Sequence, residues 1–397
     1  MIEYLNFKYN KEYKELIEAF IPNLKDKGLI LVLELEEYVL KITIGDYKDS
    51  VNINKNLKEK TSIKQGIYKL LSEYVKRDLK WGILVGVNPL KLFKSLEEKL
   101  GNLKAREVLK DIYYIEKEKI ELGFEILNLQ KPFKDKLKKK SSIYINIPFC
   151  PSKCKYCSYP TYLTDESLMD EYIDLLILEI KSFFKNFNSE ITSIYIGGGT
   201  PSSVGVERLE KLLHEIKPII EKSEEFTIEL GRPDTISEQL LNMIKKYRVD
   251  RISINPQSMK DKTLKSIGRN HTKDDIIDKI LLARKLGFKN INMDLIIGLP
   301  GEEKEDFIST LEYIKKLNPE SLSIHSLALK KGSKLTEEKY QGKAEEDFQR
   351  IRDDFVEKNF YIPYYLYRQK QEKDCLKLRI MELFFSMKLG RLLRPFK

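Results

Sequence analysis

Residues 143–159 read IYINIPFCPSKCKYCSY, and the interpretation of the whole chain starts from this stretch. A short segment of alternating apolar and polar residues, typical of a strand, leads directly into Cys150, Cys154 and Cys157 in a CxxxCxxC spacing. A barrel strand passes into its loop at such a point. Three thiolates favour a soft metal. Because iron–sulfur clusters are usually held by four cysteines, three leave one iron of a [4Fe–4S] cluster open to another ligand.

Other interpretations of these cysteines stay open. Zinc sites often use CxxC pairs, so a zinc ion with a distant His or Cys375 as fourth ligand is a second interpretation. A disulfide framework is disfavoured because the loop holds an odd number of cysteines and no secretory leader precedes it. The sequence therefore favours an iron–sulfur loop.

Length and composition bound the class of protein. The chain has 397 residues, 42% of them hydrophobic, which is enough for two or three domains with a large core. Without an apolar run of membrane-spanning length or a leader, the protein is predicted to be cytoplasmic. The formal charge of +10 suits an anionic partner, which could be nucleic acid, a membrane surface or a polycarboxylate. The favoured explanation of the same charge is solvated helix faces.

Changes in pattern divide the chain into three predicted domains. Residues 1–138 mix strand and helix signals, with two strands around 29–45 and an amphipathic helix after them, and predict a small α/β domain. KPFKDKLKKK at 131–140 is predicted as a basic linker between this domain and the next. Residues 139–342 form the second domain. Residues 343–397 are predicted to contain a helix, a strand and an atypical basic tail.

The second domain alternates strand and helix signals. Strand candidates lie at 143–147, 193–198, 226–230, 251–256, 290–297 and 321–327. Six successive strand–helix units predict a parallel sheet and an incomplete (β/α)6 barrel.

The alternation along these strands also predicts what the barrel encloses. One face carries mainly Ile, Leu, Met and Phe and should pack under the helices. The other face carries Tyr144, Asn146, Tyr195, Glu229, Ser253, Asn255, Asn292, Asp294, Ser323 and His325. Because closed barrels normally fill their interior with Val, Ile and Leu, this polar face predicts a wet, ligand-binding cavity.

Four further features mark candidate ligand contacts. Gly197–Pro201, reading GGGTP, directly follows the second strand, and its glycines permit close approach of a ligand to the backbone, although a tight turn explains them equally well. Glu229 and Asp294 project inward, where an unpaired carboxylate would be costly. Arg269 is a candidate for binding a carboxylate, with a surface arginine as the alternative. His271 and His325 are predicted as hydrogen-bonding residues.

The motif CPSKCKYC resembles the cluster loop of the radical S-adenosylmethionine (SAM) enzymes. With IGGGTPS, FTIELGRPDTI, INPQSM, IGRNHT, MDLIIGLPGE and HSLALKKGS, residues 141–340 resemble the oxygen-independent coproporphyrinogen III oxidase branch of that superfamily, in its HemZ type. The resemblance implies a radical SAM barrel in which Cys150, Cys154 and Cys157 bind the [4Fe–4S] cluster. It implies SAM contacts by Tyr144, Tyr156, Gly198, Gly199, Thr200, Glu229, Gln257, Arg269, Asp294 and Ala328.

The same resemblance implies an activity and its partners. The expected reaction is oxidative decarboxylation of coproporphyrinogen III to protoporphyrinogen IX, with an electron donor such as flavodoxin or ferredoxin and no nucleic acid partner. The sequence departs from the family after residue 370, where QEKDCLKLRIMELFFSMKLGRLLRPFK replaces further expected strands and looks like a truncation or a shifted frame. A haem chaperone, a tRNA-modifying radical SAM enzyme and an inactive truncated relative therefore remain alternatives.

Overall fold

A computed structural model describes residues 1–22, 24, 27–86, 88–134, 140–338, 340, 346–369 and 373–380. It divides into two compact units, one built mainly from Met1–Leu129 and the other mainly from Gln130–Tyr365. Of the helices in the described part of the chain, none is long and apolar enough to span a membrane.

The first unit is a small sheet covered by helices. Its strands are β1 (Ile2–Leu5), β2 (Leu31–Glu36), β3 (Val39–Ile44) and β4 (Tyr47–Asn52), paired in that order. Its helices are α1 (Lys11–Phe20), α2 (Glu59–Val75), α3 (Leu90–Leu100), α4 (Asn102–Asp111) and most of α5 (Lys117–Lys134). Alternate residues of β2 and β3, such as Leu31, Leu33 and Leu40, are fully buried together with Leu16 and Ile67 of the helices. The predicted strand pair and the helix after it are confirmed.

The second unit contains a curled sheet of parallel strands with helices on its outer side. Its strands are β5 (Lys140–Ile147), β6 (Phe149–Cys150), β7 (Tyr162–Leu163), β8 (Glu190–Gly198), β9 (Glu225–Gly231), β10 (Arg251–Ile254), β11 (Ile291–Ile297) and β12 (Ser321–Ser326). Its helices are α6 (Glu166–Phe184), α7 (Val206–Lys222), α8 (Glu238–Lys245), α9 (Asp261–Ser266), α10 (Lys273–Lys285), α11 (Lys304–Leu317), α12 (Lys334–Glu337) and α13 (Glu346–Lys358). Within the described ranges, β5, β8, β9, β10, β11 and β12 pair in this order, all parallel. The predicted partial (β/α)6 barrel is confirmed, and each predicted strand lies where the alternation indicates.

The local sequence explains why strands and helices alternate in the second unit. Ile147, Ile196, Phe226 and Ile228 are fully buried on the helix side of their strands. Side chains cap several of the connecting helices: Asp165 accepts a hydrogen bond from the backbone N–H of Leu168 at 2.8 Å at the start of α6. Because the six strands are parallel, their carboxyl ends meet at one rim.

Two segments differ from the sequence prediction. α5 continues through Lys134, so the first four residues of the predicted linker are helical, while 135–139 lie outside the described residues. The segment predicted as a tail contains a strand, because residues 373–380 alternate in the same period as the other strands. The C-terminal strands are β13 (Tyr361–Gln369) and β14 (Lys373–Ile380), and β14 pairs antiparallel with β12 through Leu376–Arg379. The rest of the predicted tail, 381–397, lies outside the described residues.

Candidate cluster and cofactor site

The cysteine loop leaves β5 and turns at the carboxyl rim of the barrel. Cys150 ends β6, Cys154 is buried and Cys157 is partly buried, and all three are free thiols. Two backbone hydrogen bonds hold the second half of the loop: the N–H of Cys157 donates to the carbonyl of Cys154 at 3.1 Å, and that of Lys155 donates to the carbonyl of Ile267 at 2.9 Å. The sequence prediction that the three cysteines share one loop at the end of a strand agrees with this position.

The chemistry of the three thiols suits a cluster. Burial raises the pKa values of Cys150 and Cys157, so these groups need a cationic partner to become thiolates. In the part of the chain that the structure describes, no three His, Cys, Asp or Glu side chains are grouped to hold a metal ion. An iron–sulfur cluster offers a separate iron to each cysteine, so its ligands do not have to converge on one point.

The glycine turn after β8 packs directly on the first cysteine. A Cβ on Gly198, which has φ of 119°, would lie 2.2 Å from Oδ1 of Asn146. A Cβ on Gly199 would lie 2.5 Å from the carbonyl oxygen of Phe149 and 3.0 Å from Sγ of Cys150. The hydroxyl of Thr200 lies 3.5 Å from the same sulfur. Only glycine permits so close an approach, and the turn therefore forms one wall of the cysteine site.

A connected set of polar side chains lines the inner face of the barrel, as the alternation predicts. Its first part crosses β8, β9 and the end of β10. The hydroxyl of Tyr195 donates to Oε2 of Glu229 at 2.9 Å, and the side-chain amide of Asn255 donates to Oε1 of Glu229 at 3.3 Å. Tyr144 stacks on Tyr195, with ring centroids 5.8 Å apart. Glu229 is thus fixed in orientation by two neighbouring strands.

The set continues across β11 and β12. The side-chain amide of Asn292 donates to Oγ of Ser253 at 3.1 Å and to Oδ1 of Asp294 at 2.8 Å. Nε2 of His325 lies 3.8 Å from Oδ2 of Asp294. Partners from the barrel interior therefore surround Asp294, and the polar face is a network that spans five strands.

Two buried basic side chains, Arg269 and His271, lie in the region of the cysteine loop. Arg269 is 8% exposed and donates to the hydroxyl of Tyr156 at 2.8 Å, so the alternative of an ordinary surface arginine is wrong. His271 is 4% exposed, and its Nδ1 lies 3.5 Å from Oδ1 of Asp234. Burial lowers the pKa of His271. These groups come from loops after β9 and β10 and meet at the cysteine loop.

Sequence reasoning missed two residues of this region. Arg232 and Asp234 belong to the family motif GRPDTI, but the sequence predicts no site role for either. In the structure Arg232 is 2% exposed, donates to Oγ of Ser152 at 2.7 Å and lies 4.0 Å from Sγ of Cys154. One sequence signal for these residues was available: the arginine stands directly before a proline and an aspartate, at the end of a strand predicted to face inward.

The ten residues predicted as SAM contacts all belong to the inner face or to its carboxyl rim. Tyr144 lies in β5, Tyr156 in the cysteine loop, Gly198, Gly199 and Thr200 at the end of β8, Glu229 in β9, Gln257 and Arg269 after β10, Asp294 in β11 and Ala328 after β12. Gln257, with φ of 68°, is held by backbone hydrogen bonds to the carbonyl of Asp294 at 2.9 Å and from the N–H of Ile296 at 3.0 Å. The fold thus brings residues from six strand–loop segments to one region. Their roles as SAM contacts stay predictions.

Comparison with known proteins gives consistent matches. The family profile of the Radical SAM superfamily matches residues 144–314. An oxygen-independent coproporphyrinogen-III oxidase-like protein, HemZ, of Bacillus subtilis is 41% identical over 328 residues, which cover 78% of this chain and 66% of that protein. The haem chaperone HemW of the same organism is 36% identical over 190 residues, 47% of this chain and 50% of that protein. The chain thus spans between half and about two thirds of these curated relatives.

A solved structure shares the fold. Coproporphyrinogen III oxidase (HemN) from Escherichia coli, described as a radical SAM enzyme, matches with a TM-score of 0.51 and 25% identity. The match covers 56% of this chain and 54% of that one.

Proposed function

Because the chain belongs to the radical SAM superfamily, we propose that Cys150, Cys154 and Cys157 hold a [4Fe–4S] cluster whose open iron binds SAM. When bound, the cluster and SAM supply one-electron cleavage of a sulfonium carbon–sulfur bond and abstraction of a hydrogen atom from the substrate. The free thiols in one loop, packed against the glycine turn, support this assignment.

The side chains of the barrel interior would orient SAM. Glu229, held by Tyr195 and Asn255, presents a fixed carboxylate suited to ribose hydroxyls or an ammonium group. Asp294 presents a second carboxylate from β11. Arg269, buried beside Tyr156, suits a carboxylate of the ligand. A set of partners locked by hydrogen bonds positions a reacting group without reorganisation during the reaction.

We propose that the substrate is coproporphyrinogen III. In the reaction, a propionate side chain loses one hydrogen atom from its β carbon, carbon dioxide and one electron, which passes to a one-electron acceptor, and becomes a vinyl group. The observation that carries this proposal is the 41% identity to HemZ over 328 residues. The external electron donor would be a flavodoxin or a ferredoxin, and the cell compartment the cytoplasm.

A lysine-rich rim supports a polyanionic substrate. Exposed lysines stand in the cysteine loop, at Lys153, and in the loop after β12, at Lys330 and Lys331. The two loops touch, since the backbone N–H of Leu335 donates to the carbonyl of Lys155 at 3.0 Å. Exposed lysines on two segments that touch would add positive charge to this side of the rim, and positive charge attracts carboxylates.

A haem chaperone is the second candidate function, favoured by the 36% identity to HemW over 190 residues. The discriminating experiment reconstitutes the chain with iron and sulfide without oxygen and adds SAM, a reductant and coproporphyrinogen III. Formation of 5′-deoxyadenosine and protoporphyrin products supports the oxidase. A Soret band after haem addition, with no product from coproporphyrinogen, supports the chaperone and contradicts the oxidase.

A further inference from the structure

Arg232 reaches from the end of β9 into the cysteine loop. It is 2% exposed, and its Nη1 donates to the carbonyl of Ser152 at 3.1 Å and to Oγ of Ser152 at 2.7 Å. The same nitrogen lies 4.0 Å from Sγ of Cys154, within donor range of sulfur. One edge of the guanidinium group therefore faces the middle cysteine of the loop.

The opposite edge of the guanidinium group is held by a carboxylate. Nε donates to Oδ1 of Asp234 at 3.1 Å and Nη2 donates to Oδ2 at 2.8 Å, a bidentate pair. Burial raises the pKa of Asp234, but the nearby His271 and the hydrogen-bonded Arg232 outweigh it and keep that pKa well below its usual range. Because the guanidinium group is planar, an ionised partner on one edge sets the direction of the other.

Hydrogen bonds to the sulfurs of an iron–sulfur cluster change its reduction potential. A donor stabilises the reduced state more than the oxidised one, because the reduced cluster carries more negative charge on its sulfurs. We propose that Arg232 raises the reduction potential of the cluster by donating a hydrogen bond to the sulfur of Cys154. Arg232 is a positioning residue in this role, since it acts through a ligand. The inference rests on the proposed cluster and is independent of the proposed substrate.

The test is a reductive titration of the reconstituted full chain with dithionite, followed by electron paramagnetic resonance, in the absence of substrate. Arg232→Gln removes the positive charge and the bidentate pair with Asp234, while Arg232→Lys keeps the charge without the bidentate pair. Arg284→Gln is the matched control: Arg284 is also ion-paired, with Glu320 at 2.8 Å, but at the amino end of β12. Iron content is measured for each variant.

We expect Arg232→Gln to lower the equilibrium constant for cluster reduction about tenfold, which is about 59 mV for one electron. Arg232→Lys should show a smaller decrease and Arg284→Gln none. An Arg232→Gln variant with full iron content and the wild-type reduction potential would overturn the inference. Loss of iron from both Arg232 variants would also overturn it, because the residue would then be needed only for folding of the cysteine loop. A wild-type chain that takes up no iron would overturn the proposed cluster itself. The iron measurement distinguishes this outcome from the other two.

Discussion

Glu302 provides a sharp test of the packing between two loops of the barrel rim. Its side chain is 1% exposed, and Oε1 accepts a hydrogen bond from the hydroxyl of Ser258 at 2.6 Å. Oε2 is buried and has no hydrogen-bond partner among the residues that the structure describes. Burial raises the pKa of this carboxyl from 4.5 to about 7. Below about pH 7 the group is therefore mainly a neutral acid in the folded chain.

The sign of the pH dependence follows from this pKa. Below pH 4.5 the carboxyl is protonated in the folded and the unfolded chain alike. Between pH 4.5 and about 7 the folded chain keeps a proton that the unfolded chain has released, so the free energy of unfolding falls as pH rises. Above that window the loss stays constant. At about 1.36 kcal/mol per pH unit, the full loss is about 3 kcal/mol.

The assay compares urea unfolding of the wild type and Glu302→Gln between pH 4.5 and 8, followed by far-ultraviolet circular dichroism. An amide does not titrate in this range. The free energy of unfolding of the variant should therefore rise by about 3 kcal/mol relative to that of the wild type, nearly all of it below pH 7.5. Glu305→Gln, on an exposed residue in the first turn of α11, is the control and should show a constant difference. A constant difference for Glu302→Gln as well would refute the buried, protonated carboxyl.

Three further predictions concern the site. Cys154→Ala should abolish iron binding and formation of 5′-deoxyadenosine, whereas Cys375→Ala should retain both. Formation of 5′-deoxyadenosine by Cys154→Ala would show that Cys154 is not a cluster ligand. Gly199→Ala should reduce iron content at least several-fold because its Cβ would collide with a backbone oxygen at 2.5 Å, and full loading would contradict the close packing. Glu229→Gln should keep the iron and weaken SAM binding about tenfold, as measured by calorimetry on the reconstituted chain. Unchanged affinity would place Glu229 outside the SAM site.

Much of the site could be predicted because its signals are local. The spacing of the cysteines, the glycine turn and the inward position of Glu229 and Asp294 can all be read within a few residues of each strand. The contacts of Arg232 and Glu302 could not be predicted from the sequence. Arg232 meets Cys154 across 78 residues of sequence, and Glu302 meets Ser258 across 44. A local pattern can mark the position of Arg232 at the end of an inward-facing strand, but it does not show which distant residue either side chain meets.

The sequence by itself determined the order of strands and helices and the face on which each strand residue lies, because side chains in a strand alternate with a period of two whatever their neighbours are. Only the tertiary structure decided which loops of the rim touch and which edge of a guanidinium group faces a cysteine. Those contacts depend on the register and twist that each strand takes from its neighbours, as in the irregular register between β9 and β10 that precedes Asn255. It also decided that residues 373–380 join the sheet, since pairing with β12 requires an open edge that no stretch of sequence displays.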